Sequence, residues 1–453
     1  MTAVSPVDGR YATQVAALRP ICSEYGLLRY RVRIELHWLA HLGAAGLLPE
    51  PASLSAADIN RLRSLADDFD SPAARRIKEL ERETNHDVKA VEYFVRELLA
   101  TNGFADATGE FVHFACTSED INNLSYALML SEARSTVIQP ALESLIGMLE
   151  TAADTHADVA MLSRTHGQPA TPTTLGKELA NFAARLKTTT GEFAAAPILG
   201  KFNGAVGNYN AHYAALPETD WPALAEEFIG SLGLEINHYT TQIEPHDWIA
   251  AYAHALIRSN NVLLDLCRDV WGYISLGYFR QRVKAGETGS STMPHKVNPI
   301  DFENAEGNIG IASATLGHLA HKLPVSRWQR DLSDSTALRN IGTGLAHMLI
   351  ACQAIDRGFS KLEADKERIS TDLDERWELL AEPIQTVMRL HGLAGGYEEL
   401  KAMTRGRTMD RATIHAFIEK LQLPSADRER LLKLTPASYL GNAAAAARAL
   451  RRG

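Results

Sequence analysis

The chain has 453 residues, of which 45% are hydrophobic and 22% charged. This is an ordinary globular balance that excludes disordered, collagen-like and low-complexity chains, and the length suggests two to four domains at roughly 100–200 residues each. Basic residues number 46 against 55 acidic, a net charge of −9, so the chain as a whole lacks the basic surplus of a protein held by nucleic-acid phosphates, although a local basic cluster could bind a small anion.

The N-terminus, MTAVSPVDGRYATQ, has no basic segment followed by an apolar run, so no signal peptide is expected. Four cysteines, Cys22, Cys116, Cys267 and Cys352, lie far apart without a CxxC. That usage suits a reducing compartment rather than a disulfide framework. The chain is expected to be soluble and cytoplasmic. Its longest apolar stretch without a charge, Asn340–Ile355, is too short to span a membrane.

No proline falls between Pro72 and Pro140, Pro245 and Pro294, or Pro324 and Pro383. Such gaps permit long helices, because an interior proline removes a hydrogen bond and clashes with the preceding turn. The polar, glycine-containing ATNGFADATG (100–109) reads as a break. In HFACTSEDINN (113–123), Thr117 and Ser118 place hydroxyls near a predicted helix N-terminus. Such a start can cradle a carboxylate or phosphate, but taken alone it reads as simple capping. After Pro140, set in a first-turn position, Leu142, Leu145, Ile146 and Leu149 follow the helical period.

SRTHGQPATPTT (163–174) puts His166 just ahead of a helix that Thr171 would cap and Pro172 would open. A histidine there can move a proton near neutral pH, although most of the sixteen histidines must be structural. Leu175, Leu179, Phe182 and Leu186 form that helix's apolar stripe. The glycine-rich GKFNGAVGNYNAHY (200–213) reads as a loop or small hairpin, the one β-suggestive stretch.

Trp248–Arg280 is predicted as one helix of about nine turns. Its apolar residues, among them Ile249, Tyr252, Leu256, Leu263, Leu266, Val270 and Trp271, spread around much of the circumference. A helix apolar on most sides belongs in a large core. With 303–322 and 335–362 also helical, association of long helices between subunits is expected, and a monomeric bundle remains the alternative. From Leu362 the sequence turns charged and then to short helices with loops. The expected domains are 1–110, 111–364 and 365–453.

AGETGSSTMPHKVNPIDFENAEGN (285–308) is the most distinctive segment. Glycines, Ser290, Ser291, a Met-Pro break, Lys296 and Asn298 precede a helix start, which suits a mobile lid that binds an anion. Metal binding looks poor. His113 and Cys116 resemble half a zinc site, but no matching pair follows and HExxH is absent. No GxGxxG after a strand, no GxxxxGK[ST] and no GxSxG occurs, so nicotinamide, flavin, ATP and serine-hydrolase chemistry have no support.

GSSTMPHKVNP resembles the signature loop of the fumarase/aspartase superfamily. TNHDVKAVEYF (84–94), HFACTSEDINN, SRTHGQPATP, TTQIEPHD (240–247) and LPVSRWQRDLSDSTALRN (323–340) narrow the resemblance to the adenylosuccinate lyase family, in its bacterial branch. It runs from SPVDGRY (5–11) to LAEPIQTVMR (380–389) and is weakest after about 395. It implies an all-α, three-domain fumarase/aspartase-type fold whose central long-helix bundle forms a tetrameric helical core. It also implies active sites shared between three subunits of a homotetramer, small-molecule nucleotide substrates, no cofactor and no metal.

The implied chemistry removes fumarate from a succinylated purine nucleotide or its imidazole precursor, within purine biosynthesis. By resemblance Ser290 is the general base, Ser291 binds substrate and His166 is the general acid. Spacing alone does not choose between the two serines. Lys296, Asn298, Thr117, Ser118 and Gln242 fall at positions around the succinyl carboxylates, and Val297 at a substrate-binding position. Arg10, Tyr11, Arg330, Ser335 and Arg339 fall around the nucleotide phosphate, and Asn85, His86, Asp87 and Asn304 at further substrate contacts. Argininosuccinate lyase, fumarase, cycloisomerases and non-catalytic crystallins are the rivals within the superfamily.

Overall fold

In the computed structural model, residues 2–282, 293, 296–393, 398, 400 and 409–452 are described. Helix makes up 67% and strand 5%, so the all-α expectation holds. The chain forms two compact units. One comprises Met1–Leu142, Thr189–Asn261 and Gly307–Gln353, the other Glu143–Thr188, Val262–Glu306 and Ala354–Gly453. Among the described residues, no helix is long and apolar enough to cross a membrane.

The first unit is built around the helix Glu24–Ala44. Ser23 caps it by accepting the Gly26 N–H at 3.2 Å. Its residues Val32, Ile34, Leu36 and Trp38 are buried, and the Trp38 ring packs 4.4 Å from Phe202 and 5.1 Å from Phe228, centroid to centroid. Beside it, the helix Ser118–Ala133 is buried along nearly its whole length. Its polar residues Glu119, Asp120, Asn122, Asn123 and Ser125 are included in that burial. Burying so many polar groups is tolerable only if each finds a partner, and those partners shape the site described below.

Pro140 stands in the first turn of the helix Gln139–Thr155, as its position predicts. A single π turn, Arg134–Ile138, carries the chain from Ser118–Ala133 into Gln139–Thr155, with the Gln139 N–H bonded to the Arg134 carbonyl. The wider turn passes the proline, which has no N–H to offer. Leu142, Leu145, Ile146 and Leu149 are buried as their spacing predicts.

In the second unit, 163–174 departs from expectation. Ala160–Thr165 and Gln168–Thr174 pair as an antiparallel hairpin with a register shift between Met161 and Ser163. His166 and Gly167, with φ of 54° and 73°, form its two-residue turn. Two consecutive positive φ values mark the turn whose twist matches that of paired strands. Pro169 and Pro172 argue against a central strand, but a two-stranded ribbon consists only of edges. The following helix, Leu175–Ala195, begins three residues later than predicted. Thr174, rather than Thr171, caps it by accepting the Lys177 N–H at 3.1 Å.

Gly167 has open space around its α-carbon, so only its backbone conformation resists a side chain. Gly167→Ala is expected to cost about 1–2 kcal/mol. A thermal melt unchanged from wild type would refute this reading of the turn.

The long helix spans Asp247–Ser275 and stops short of Arg280. Gly277, at φ +77°, turns the chain. The Tyr278 N–H reaches back to the Tyr273 carbonyl at 2.8 Å and the Gly277 N–H to Ile274 at 3.0 Å, a helix end of the glycine-closed type. Phe279–Gln281 then pairs with Leu362–Ala364. Within one chain this helix has a broad buried face, including Tyr252, Leu256, Leu263, Leu266 and Val270. His254, Arg258, Asp265 and Trp271 are exposed on the single chain.

The stretch 200–213 is neither a simple loop nor a hairpin. Leu199–Gly200 pairs in parallel with Glu235–Ile236, and Asn210–Ala215 is a short helix. The other predicted long helices are Ile300–Lys322 and Ile341–Ser360, the second preceded by the short helix Ser333–Leu338. Beyond 365, short helices including Ala381–Leu390 and Arg411–Lys420 enclose Ile384, Met388, Ile414, Phe417 and Leu431.

Candidate active site

In the first unit, side chains from five separate stretches of sequence converge on the start of the helix Ser118–Ala133. The Thr117 N–H donates to Asp120 Oδ2 at 2.8 Å, which fixes the first turn. Thr117 and Ser118 are half-buried there, beside the unpaired N–H groups and positive dipole end that every helix start carries. The capping expected of this segment is present, and the same position suits an anion.

From this point a polar relay runs in both directions. Glu119 Oε1 accepts from Asn122 Nδ2 at 2.9 Å and pairs with Arg330 Nη2 at 3.0 Å. Asn122 Oδ1 accepts from Arg31 Nε at 2.9 Å. Arg31 Nη2 pairs with Asp87 Oδ2 at 2.7 Å, and the same oxygen meets Arg339 Nη2 at 3.2 Å. Burial raises the Asp87 carboxyl, but Arg31 and Arg339 outweigh it and hold it below its ordinary value. The Arg339–Asp87 contact is half-exposed and contributes at most about 1 kcal/mol, so its guanidinium is easily redirected to a ligand. Next to Arg339, Cys22, Glu24, Tyr126, Leu338 and Ile341 help line a cavity of about 240 Å³. Burial pushes the Cys22 thiol up to about 12, so it is no thiolate nucleophile at neutral pH.

On the other side, Arg330 Nη1 reaches Gln242 Oε1 at 3.4 Å, and its Nε lies 3.8 Å from Asp334 Oδ1. Asp334 also faces His246 Nε2 at 3.7 Å. Burial raises Asp334, but His246 and Arg330 outweigh it and keep the carboxyl below its ordinary value. Glu244 sits behind, accepting from Asn237 Nδ2 at 2.7 Å and the His246 N–H at 2.6 Å. Burial pushes its carboxyl up. The arginines stand opposite carboxylates that a phosphate or a dicarboxylate can replace, through the bidentate fork that guanidinium provides.

Of the sequence-predicted residues, Asp87, Thr117, Ser118, Gln242, Arg330 and Arg339 belong to this cluster. Asn85 and His86 adjoin it through the chain. Asn85 ends one helix at φ 51°, and His86 Nδ1 accepts the Lys89 N–H at 3.1 Å to begin the next. Ser335 is half-buried on the short helix that carries Asp334. Arg10 lies in an N-terminal turn, its guanidinium 6.0 Å from the centre of the Tyr11 ring.

Among the described residues, the remaining predicted ones, His166, Lys296, Val297, Asn298 and Asn304, belong to the second unit. His166 stands exposed at the hairpin tip rather than ahead of a helix start. That hairpin is held by the Arg164–Asp372 pair at 2.6 Å and by a Thr171–Glu382 hydrogen bond. Lys296 and Val297 are exposed, with the Val297 carbonyl accepting from Gln281 Nε2 at 3.1 Å. Asn298 and Asn304 are half-buried, the latter on the helix Ile300–Lys322. Ser290 and Ser291 lie outside the described residues.

Arg31, Glu119, Asp120, Asn122, Asn237, Glu244, His246 and Asp334 are cluster members that carry no individual signal in the sequence, as is Lys201, whose Nζ lies 3.2 Å from Asp120 Oδ1. A usable signal was the polar run SEDINN at the start of a helix otherwise apolar, with EPHD ahead of the longest helix. His113, considered for half a zinc site, instead places its Nδ1 2.6 Å from Glu35 Oε1.

Comparison with known proteins bears on this arrangement. A lyase family model matches residues 9–313, and a model of the adenylosuccinate lyase C-terminal region matches 326–440. The adenylosuccinate lyases of Escherichia coli and Vibrio cholerae are each 55% identical to the chain, covering 98% of it and 97% of their own length. That of Haemophilus influenzae is 52% identical over the same shares. Among solved structures, a 3-carboxy-cis,cis-muconate lactonizing enzyme from Pseudomonas putida superposes with a TM-score of 0.73 at 24% identity, covering 96% of both chains. A fumarate lyase from a Mesorhizobium species gives 0.77 at 18%, covering 97% of this chain and 98% of its own. These two likenesses extend to the fold.

Proposed function

We propose, because the chain belongs to the adenylosuccinate lyase family, that it eliminates fumarate from adenylosuccinate to leave AMP. The same reaction on the succinylated aminoimidazole carboxamide ribotide leaves AICAR, and both are steps of purine biosynthesis. The carrying observation is the 55% identity along 98% of the chain. The convergence of Thr117, Ser118, Gln242, Arg330 and Arg339 on one helix start supports it.

The chemical difficulty is a weakly acidic C–H beside a carboxylate. Its removal builds charge on that carboxylate, and donors aimed at the growing charge lower the barrier. Thr117, Ser118, Gln242, Lys296 and Asn298 are assigned to the succinyl group, and Val297 to substrate binding. Arg330, Arg339, Ser335, Arg10 and Tyr11 are assigned to the phosphate, and Asn85, His86, Asp87 and Asn304 to further contacts. Ser290 takes the proton, Ser291 binds substrate and His166 delivers a proton to the leaving nitrogen. Serine can act as a base only where donors stabilise its alkoxide and water is excluded. No cofactor enters this scheme. The reading also includes a cytoplasmic homotetramer with sites shared by three subunits, and domains at 1–110, 111–364 and 365–453.

The test is fumarate release by the purified protein from adenylosuccinate, with argininosuccinate in parallel. Release from adenylosuccinate alone is expected. Release from argininosuccinate alone would discard the phosphate assignment of Arg330, Ser335 and Arg339, and release from neither would overturn the reading.

A further inference from the structure

Beneath the Thr117–Ser118 helix start, Asp120 and Lys201 form an ion pair in which neither side chain has any exposed surface, with Nζ 3.2 Å from Oδ1. Two charges removed from water in this way are a poor device for stability, since a well-packed apolar pair of similar volume does as well or better. What the pair does is tie distant segments together. Asp120 accepts the N–H of Thr117 at 2.8 Å, of Asn203 at 3.0 Å and of Gly204 at 3.1 Å. Lys201 Nζ donates to the carbonyls of Gly204 at 2.8 Å and Thr241 at 3.4 Å. An ammonium has three hydrogens, so its donors are fully used.

Further bonds lock the same three segments. The Lys201 N–H donates to Asn123 Oδ1 at 2.8 Å, Asn123 Nδ2 returns to the Lys201 carbonyl at 3.0 Å, and Asn203 Nδ2 reaches Thr240 Oγ1 at 2.7 Å. Gly207, at φ +83°, lets the backbone pass so near Thr240 that a Cβ would lie 2.5 Å from its carbonyl oxygen. The result fixes Thr117 and Ser118 against the turn that carries Gln242. Thr241, the residue whose carbonyl Lys201 holds, is its immediate neighbour.

We propose that Asp120 and Lys201 are positioning residues that set the spacing of the succinyl-carboxylate cradle between Thr117–Ser118 and Gln242. The proposal rests on the assignment of those three residues to the succinyl group. It predicts that loss of the pair disturbs binding of the dicarboxylate half of the substrate and spares the nucleotide half. A displacement of about 1 Å at such contacts costs up to ~10²-fold in turnover.

The experiment compares wild type with the charge-neutral Asp120→Asn/Lys201→Met variant in kcat, in inhibition by fumarate and in inhibition by AMP, after a thermal melt. A folded variant is expected with AMP inhibition unchanged, fumarate inhibition weakened at least ~10-fold and kcat lowered ~10²-fold. Unchanged fumarate inhibition and kcat in the folded variant would overturn the proposal. Equal loss of AMP and fumarate inhibition would also overturn it, in favour of a general structural role. If the double variant does not fold, Lys201→Arg alone reads the same constants, because it keeps the charge pair with Asp120 and displaces the donors that hold Gly204 and Thr241. Failure of the underlying reading shows separately, as a wild type that releases no fumarate or a Gln242→Ala variant with unaltered fumarate inhibition.

Discussion

Lys201→Met is expected to lower the free energy of unfolding by about 3–5 kcal/mol, the range for breaking a buried ion pair by removing one partner. The cost arises on the side left behind. Asp120 has no exposed surface, so after the change its carboxylate keeps three backbone N–H donors but loses its counter-charge. Adding Asp120→Asn removes that stranded charge and should recover much of the loss, which makes the two substitutions strongly non-additive. Urea unfolding of wild type, both single variants and the double variant, at one fixed protomer concentration, completes the cycle. A single Lys201→Met variant within about 1 kcal/mol of wild type would mean that the pair is not the anchor its geometry indicates.

This result and the loss of fumarate binding pull in different directions, and that separation is informative. Stability should return when both charges are gone, because apolar or neutral groups fill the space without a desolvation penalty. The spacing between Thr117 and Gln242 should not return, because it depends on the hydrogen bond that Asp120 accepts from the Thr117 N–H and the one that Lys201 donates to the Thr241 carbonyl. A stable but slow double variant is therefore the combination that a purely structural ion pair would not give.

The parts of this structure that were legible in the sequence are those where burial follows a helical period within one segment. Leu175, Leu179, Phe182 and Leu186 are all buried on one helix as spaced. Tyr252, Leu256, Leu263 and Val270 likewise mark the longest helix correctly, while its end was set by Gly277 rather than by any change in apolar content. The hairpin carrying His166 escaped because its second strand holds Pro169 and Pro172 and shows no clean alternation. The pair His166-Gly167 was the available turn signal.

Half of the polar cluster was legible for a different reason. Thr117 and Ser118 stand out as hydroxyls at a helix start, whereas Arg330 and Arg339 came only with the family resemblance. Glu119 and Asp120 read as ordinary acidic residues of a first turn, where the helix dipole favours them on a solvated surface. Their burial is decided by Arg330 and Lys201, far away in sequence. Lys201 itself sits in a glycine-rich stretch where a cation reads as exposed. Pairings between residues from 37 to 252 positions apart leave no periodic trace, and these pairings build the site.

His166→Ala and Ser290→Ala are each expected to lower turnover by at least ~10²–10⁴-fold, the usual range for losing a positioned acid or base. Nucleotide binding should persist in both, because neither residue is assigned to the phosphate. The informative step is to denature the two inactive proteins together and refold the mixture. If each site draws His166 and Ser290 from different subunits, random assembly of an equal mixture places both intact residues in about one site in four, so activity should climb to about a quarter of wild type. A site completed within a single chain gives no such gain, since every chain then carries one defect. The refolded mixture must be shown to be of the same size as wild type. A mixture of that size with no recovered activity would sink the shared-site reading while leaving the chemistry of Ser290 and His166 in place.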